Sequence, residues 1–235
     1  MHKQRILIQG AMDIEVEVLL SELNDCKKNE YAGFPFFEGT LNSVPVVICK
    51  TGMGIINATI ATMEGIIKYS PCCVINQGTA GGHADWVHTG DLVLCEKAEY
   101  LNGFRMPLKG EGEGSNSLEW VFDKDMEARY ADMKLIDYFS GVSYEHGKVY
   151  RGCIGSGDLY SRETDRIRWI HEKKGNLCED METYGVYETC YRMGVPCVGL
   201  RVISNHEIFR EPFQEETAKW LQKYLILAIG KGILT

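Results

Sequence analysis

The chain carries no Lys/Arg-rich run, and its 25 basic residues are outnumbered by 33 acidic ones, for a formal charge of −8. A nucleic-acid surface depends on clustered cations, so that class of partner is not expected. No stretch approaches the roughly 18 consecutive apolar residues that cross a bilayer, and no membrane partner is expected either. The N-terminal apolar segment is too short for a secretory signal. Nine cysteines are scattered along the chain without one Cys-x-x-Cys spacing, several of them inside apolar runs such as Cys72-Cys-Val-Ile75. They read as small, reduced, buried hydrophobes of a cytoplasmic protein, with no metal and no disulfide. There is no internal repeat and no low-complexity linker. Neither Gly-x-Gly-x-x-Gly nor a phosphate-cradling loop with its lysine is present, which argues against a nucleotide-binding redox protein and leaves no cofactor expected.

Short apolar runs do alternate with segments of helical period. Residues 5–8, 45–50, 72–76, 91–95, 152–155 and 197–203 read as strands. Residues 13–24, 54–69, 182–193 and 215–229 read as helices, the third closed by Gly194 with Pro196 behind it. Fully apolar strands between helices predict an α/β fold. The expected architecture is a single domain over 1–235 with a mixed, mainly parallel central sheet flanked by helices. The least regular stretch is 101–120, long for an ordinary connection and therefore a candidate functional loop.

Four clusters could carry chemistry. Gly10-Ala-Met-Asp-Ile-Glu-Val16 joins a strand to a helix, and the plain reading of its acids is complementation of the positive helix end. The same place, the carboxyl end of a strand, is where open α/β sheets bind ligands. Asn76-Gln-Gly-Thr-Ala-Gly-Gly82 follows a strand with glycines that permit close backbone approach. Glu179-Asp-Met-Glu182 precedes a helix; capping accounts for Glu179 and Asp180 but not for the methionine. Ile203-Ser-Asn205, followed by His206, ends the last strand, where a solvated loop is the plain alternative.

Taken in order, Gly10-Ala-Met-x-x-Glu-Val, Asn76-x-Gly-Thr-Ala-Gly-Gly, Ser156-Gly-Asp158, Asp-Met-Glu182 and Arg201-Val-Ile-Ser204 resemble the 5′-methylthioadenosine/S-adenosylhomocysteine nucleosidases of the nucleoside phosphorylase-like superfamily. The resemblance runs over nearly the whole chain and is weakest across 101–150. It implies hydrolysis of a purine nucleoside's N-glycosidic bond by a homodimer whose neighbour closes the 5′ end of the pocket. By that resemblance Glu15 activates water and Glu182 holds the ribose hydroxyls with Met181 beside the sugar. Thr79 and Gly81 border ribose and water. Tyr160 stacks on the base, Ser161 offers its backbone to the purine edge, and Ser204 and Asn205 face the base.

The residue types suit that reaction. An oxocarbenium-like sugar cation is stabilised by a nearby carboxylate, and a second carboxylate can deprotonate water. The departure from the family pattern is Asn205, where the base-recognising acid is usually Asp. An amide donates a hydrogen bond to N7 but transfers no proton, and on complementarity it leans toward a 6-oxopurine, leaving inosine- or futalosine-like substrates open. The family's His-Asp-x-Asp segment after Tyr100 is replaced by Leu-Asn-Gly-Phe-Arg-Met-Pro107, which leaves the 5′ substituent open. Phosphorylases of the superfamily place arginines in the first loop and before the Gly-Ser/Thr turn; here Gly10-Ala-Met12 and Asn76 stand there, which favours water over phosphate. A nucleoside-binding sensor is the non-enzyme alternative, and the presence of both Glu15 and Glu182 weighs against it.

Overall fold

Ile6, Leu7 and Ile8 have no solvent exposure, as befits a strand covered on both faces. They form β1 (Ile6–Gly10) in the middle of the computed structural model, which describes residues 5–233. The chain continues through α1 (Asp13–Ser21), β2 (Asn24–Tyr31), β3 (Phe34–Leu41), β4 (Val44–Lys50), α2 (Ile55–Tyr69), β5 (Cys73–Gly82) and β6 (Leu92–Tyr100). Next come β7 (Phe104–Arg105), a 3-10 turn (Ser117–Glu119), β8 (Val121–Phe122), β9 (Arg129–Tyr130), α3 (Met133–Ser140) and β10 (Val149–Ser156). The last elements are α4 (Thr164–Lys174), β11 (Asn176–Asp180), α5 (Thr183–Met193), β12 (Cys197–Asn205) and α6 (Glu216–Gly230).

One mixed sheet organises these elements in the order β11-β10-β6-β12-β5-β1-β4-β3-β2. Parallel pairing runs through β4-β1-β5-β12 and through β6-β10-β11. Helices flank it, α1 packing on α6 and α2 on α5. The predicted α/β class and mixed sheet are therefore the observed ones.

Two features were not expected from the sequence. The first is the closure of one end of the sheet. β11 pairs with β10 and also, antiparallel, with the end of β5, Cys178 opposite Gly82 and Glu179 opposite Gly81. The strands β5, β12, β6, β10 and β11 thereby form a ring whose rim carries the glycine-rich segment 76–82. That segment is strand rather than turn. The second is the β2–β3–β4 meander where the helix predicted over 13–24 stops at Ser21. Strand β2, NDCKKNEY, is almost wholly exposed and has no apolar alternation. Its extended form comes from pairing with β3, and its lysines suit a sheet edge. The signal for it lies in the turns: Ala32-Gly33 and Asn42-Ser43 all have positive φ, the two-residue geometry that matches strand twist.

Candidate active site

Glu15 is the third residue of α1 and is 3% exposed. Its side chain turns back over the start of its own helix. Oε2 accepts from the backbone N–H of Ala11 (2.8 Å) and Met12 (3.1 Å). These are donors that a helix start leaves unpaired. Oε1 accepts from the Thr79 N–H (2.8 Å) and the Thr79 hydroxyl (3.0 Å). One carboxylate thus joins α1 to β5 through four hydrogen bonds. Gly78 makes the approach possible, since a Cβ there would lie 2.7 Å from Oε1. A group so held, with its orientation set before any ligand arrives, can take a proton from water.

Glu182 stands at the junction of β11 and α5, just before the first helical turn, and its side chain makes no capping bond. Its position depends on its neighbour. Asp180 accepts from the Thr183 N–H (3.0 Å) and hydroxyl (2.5 Å), and pairs with the buried guanidinium of Arg201 (Nε–Oδ2 2.8 Å). Arg201 in turn donates to Asn76, at its carbonyl (3.1 Å) and its side-chain oxygen. Burial works against the guanidinium's charge, and Asp180 together with Cys95, Glu182 and Glu15 more than offsets it, so Arg201 is held above its ordinary range. This network fixes the start of α5. Glu182 Oε1 then accepts from the Gly54 N–H (2.9 Å), and the following N–H, Ile55, donates to Asp158 (2.8 Å). The carboxyl sits at the N-terminus of α2, where a negative charge is favoured. Even so, burial first and the Asp180 charge second push the Glu182 pKa up to about 8. A carboxyl in this state both donates to and accepts from sugar hydroxyls.

The far end of the cavity is built by side chains on loops and strand ends. Asn205, 3% exposed, donates from Nδ2 to the Tyr160 hydroxyl (3.0 Å) and toward Glu207 Oε1 (3.4 Å), and its Oδ1 accepts from Ser204 Oγ (2.9 Å). The opposite amide orientation would set Oδ1 against the Glu207 carboxylate, so the NH₂ is the group turned toward Tyr160. The Ser161 backbone N–H donates to Glu179 (2.8 Å), and its hydroxyl does the same (2.8 Å). Glu179 is not a helix cap, contrary to the sequence reading; that role belongs to Asp180. Burial pushes the Glu179 pKa up to about 7, against the lowering effect of the Ser161 hydrogen bonds.

These groups line one cavity of about 800 Å³ including its mouth. The structure brings together on its wall Glu15, Thr79, Gly81, Tyr160, Ser161, Met181, Glu182, Ser204 and Asn205, all nine residues singled out in the sequence. The same wall includes Glu179, His83 and Glu207, which sequence reasoning missed. The signal for Glu179 is an acid inside a strand buried at every position, Asn176–Asp180, but that strand is itself not legible from periodicity. His206, the residue after Asn205, is not on the wall. Its ring packs beneath Gly82, with Nε2 at 3.2 Å from the Ala84 carbonyl. Arg105 points away as well, into an exposed pair with Asp123 (3.1 Å).

With this geometry in view, the similarities of the chain are specific. The Phosphorylase superfamily model matches residues 5–228. A 5′-methylthioadenosine/S-adenosylhomocysteine nucleosidase of Exiguobacterium sp. is 32% identical over 97% of this chain and 98% of its own. The crystal structure of the Neisseria meningitidis nucleosidase of that name in complex with methylthio-immucillin-A superposes with a TM-score of 0.82 at 24% identity. The match covers 97% of this chain and 99% of that one. Futalosine hydrolase of Helicobacter pylori has the same fold, with a TM-score of 0.82 at 21% identity over 97% and 98% of the two chains. The fold is thus shared by enzymes named for different nucleosides, and by the family model over residues 5–228 together with 32% identity to the Exiguobacterium enzyme along nearly its whole length, the chain belongs to the 5′-methylthioadenosine/S-adenosylhomocysteine nucleosidases of the phosphorylase superfamily.

Proposed function

We propose that the protein hydrolyses the N-glycosidic bond of a 5′-substituted purine nucleoside of the methylthioadenosine/adenosylhomocysteine type, releasing the free base and the 5′-substituted ribose. The observation that carries the mechanism is the pair of carboxyls, Glu15 and Glu182, on the wall of one cavity that Tyr160 and Asn205 also line. In this reading Glu182, with Met181 beside it, grips the ribose hydroxyls. Glu15 takes the proton of a water that attacks C1′ as positive charge develops on the sugar. Asn205 donates to N7 of the leaving base, Ser204 orients its amide, and Tyr160 covers the ring. Thr79 holds Glu15 and, with Gly81, borders the ribose.

Water is favoured over phosphate because, among the described residues, the cavity wall includes no Lys or Arg. Arg105 is spent on Asp123, and Arg201 lies beneath the floor on Asp180. Product analysis in phosphate buffer tests this: free 5′-substituted ribose is expected, and ribose 1-phosphate overturns the hydrolase assignment.

The working unit in this proposal is a homodimer. Helix α2 is apolar on both faces. Ala58, Ala61 and Ile66 pack inward, while Ile56 (70% exposed), Ile60, Met63 and Ile67 (57%) form an outer stripe. A surface helix with two apolar faces requires a second cover. Met53, at the start of that stripe, also lines the cavity, so a second copy seated on α2 reaches the mouth of the site. The exposed stripe supports a contact through α2. Ile60→Glu is expected to yield monomers by sedimentation, with KM raised more than kcat is lowered.

A further inference from the structure

We propose that Glu179 reads the N1–C6 edge of the purine, pairing with a 6-aminopurine as the neutral acid and with a 6-oxopurine as the carboxylate. The inference rests on the purine nucleosidase reading and adds a specificity-determining residue to it.

The strand register carries the argument. Gly81 of β5 stands opposite Glu179 of β11 on one side and opposite Asn205 of β12 on the other. All three line the cavity. Glu179 and Asn205 therefore flank a glycine floor, two strand spacings apart, or about 9–10 Å. Gly81 adds no side chain to that gap; even a Cβ there would come within 3.6 Å of the Asn205 amide. With Asn205 on N7, the group across the floor that meets the opposite edge is the Glu179 carboxyl.

The chemistry of that edge differs between bases. Adenine presents an N1 acceptor and an N6 donor, which a neutral carboxyl matches by donating its O–H and accepting at its carbonyl. Hypoxanthine presents an N1–H donor, which a carboxylate accepts. The environment keeps both forms accessible near neutrality. Burial raises the Glu179 pKa to about 7. Facing it are Ser161 and Tyr160 from the segment before α4, Arg166 from α4, Asp180 from its own strand, and His83 after β5. Burial holds His83 at about 3, hence neutral. The Asn176 amide lies 2.9 Å from its Nδ1 and donates there, leaving Nε2–H turned to Glu179 at 3.5 Å. His83 thus assists either form without competing for the proton.

The test compares 5′-methylthioadenosine with 5′-methylthioinosine, which differ only at that edge. The ratio of their kcat/KM values cancels the titration of Glu182 and of other groups acting on both alike. In the wild type the ratio is expected to fall at least about tenfold between about pH 6 and pH 8, as Glu179 ionises. Glu179→Gln supplies a permanent amide that donates to N1 and accepts from N6. It should keep methylthioadenosine cleavage, lose methylthioinosine cleavage about tenfold or more, and flatten the ratio with pH. Glu179→Val should flatten the ratio while slowing both substrates. A wild-type ratio constant with pH, or an unchanged ratio in Glu179→Gln, overturns the proposal. A wild type that releases neither base overturns the nucleosidase reading instead. Calorimetric binding of adenine and hypoxanthine at the same two pH values then decides the role of Glu179, the same swing in relative affinity supporting it and its absence overturning it.

Discussion

The two ends of the cavity are built in different ways. At the ribose end, Glu15 and Glu182 are gripped by backbone N–H groups at the starts of α1 and α2 and by the Thr79 backbone and hydroxyl. Beneath them lies a buried Arg201–Asp180 pair. At the base end, Asn205, Tyr160, Ser161, Glu179 and Glu207 hold one another, and Tyr160 is 58% exposed. Backbone donors at element termini move only if the fold moves. Side-chain partners on loops can be exchanged one at a time. The end that performs bond cleavage is therefore tied to the architecture, and the end that chooses the base is free to vary upon it. Asn205, and Glu179 across Gly81 from it, both belong to the base end in the proposed mechanism.

Four substitutions can break or sharpen the contrast. Glu15→Gln removes the proton acceptor while keeping the shape, and base release should fall ~10²–10⁴-fold with nucleoside affinity largely kept. Single-turnover rates beside equilibrium binding check this, and a parallel loss of affinity would move Glu15 from chemistry to binding. Arg201→Met leaves Asp180 buried and unpaired, which should cost ~3–5 kcal/mol in urea unfolding. A cost near zero would mean that the ribose end is not anchored from beneath.

Glu182→Gln should weaken both ribose binding and rate, by ~1–3 kcal/mol for each sugar hydroxyl left without its partner. Its effect on stability should have the opposite sign. The Glu182 carboxyl binds its proton more tightly in the folded state, so its contribution is complete below the ordinary carboxylate value of 4.5 and is lost as pH rises through about 8. The glutamine variant, permanently neutral, should melt higher than wild type by ~2 °C or more at pH 9 and not at pH 4. Equal melting temperatures at both pH values would show that burial of this carboxyl costs nothing. Asn205→Asp carries the smallest expected effect, a shift of ~1–3 kcal/mol toward adenine nucleosides, with a rate that falls as pH rises and the new carboxyl loses its proton. Unchanged base selectivity would remove Asn205 from recognition and leave Glu179 to account for it.

The helical and strand periods of β1, β4, α2, α5, β12 and α6 are legible because each buries a continuous apolar face. The elements α3, α4 and β11 are absent from that reading, as is the β2–β3 hairpin. Helix α4 is TDRIRWIHEKK, and its buried Arg166 is placed by Trp169 of its own helix and by Phe104 and Trp120, rings distant in sequence. The nine candidate residues were legible as local motifs, seven of them near a strand end or a helix start and Tyr160 and Ser161 in the loop between β10 and α4. Local sequence thus determined the alternation of strands and helices, the two carboxyls and the departure at Asn205. It could not determine that β11 folds back onto the end of β5. That antiparallel pairing joins residues about a hundred positions apart, and only it sets Glu179 across Gly81 from Asn205. Local propensity acts over a few residues, whereas register between distant strands is chosen by the burial of the whole sheet. For that reason the nature of the reaction is written along the chain, and the means of choosing the base emerges only when the ring of strands closes.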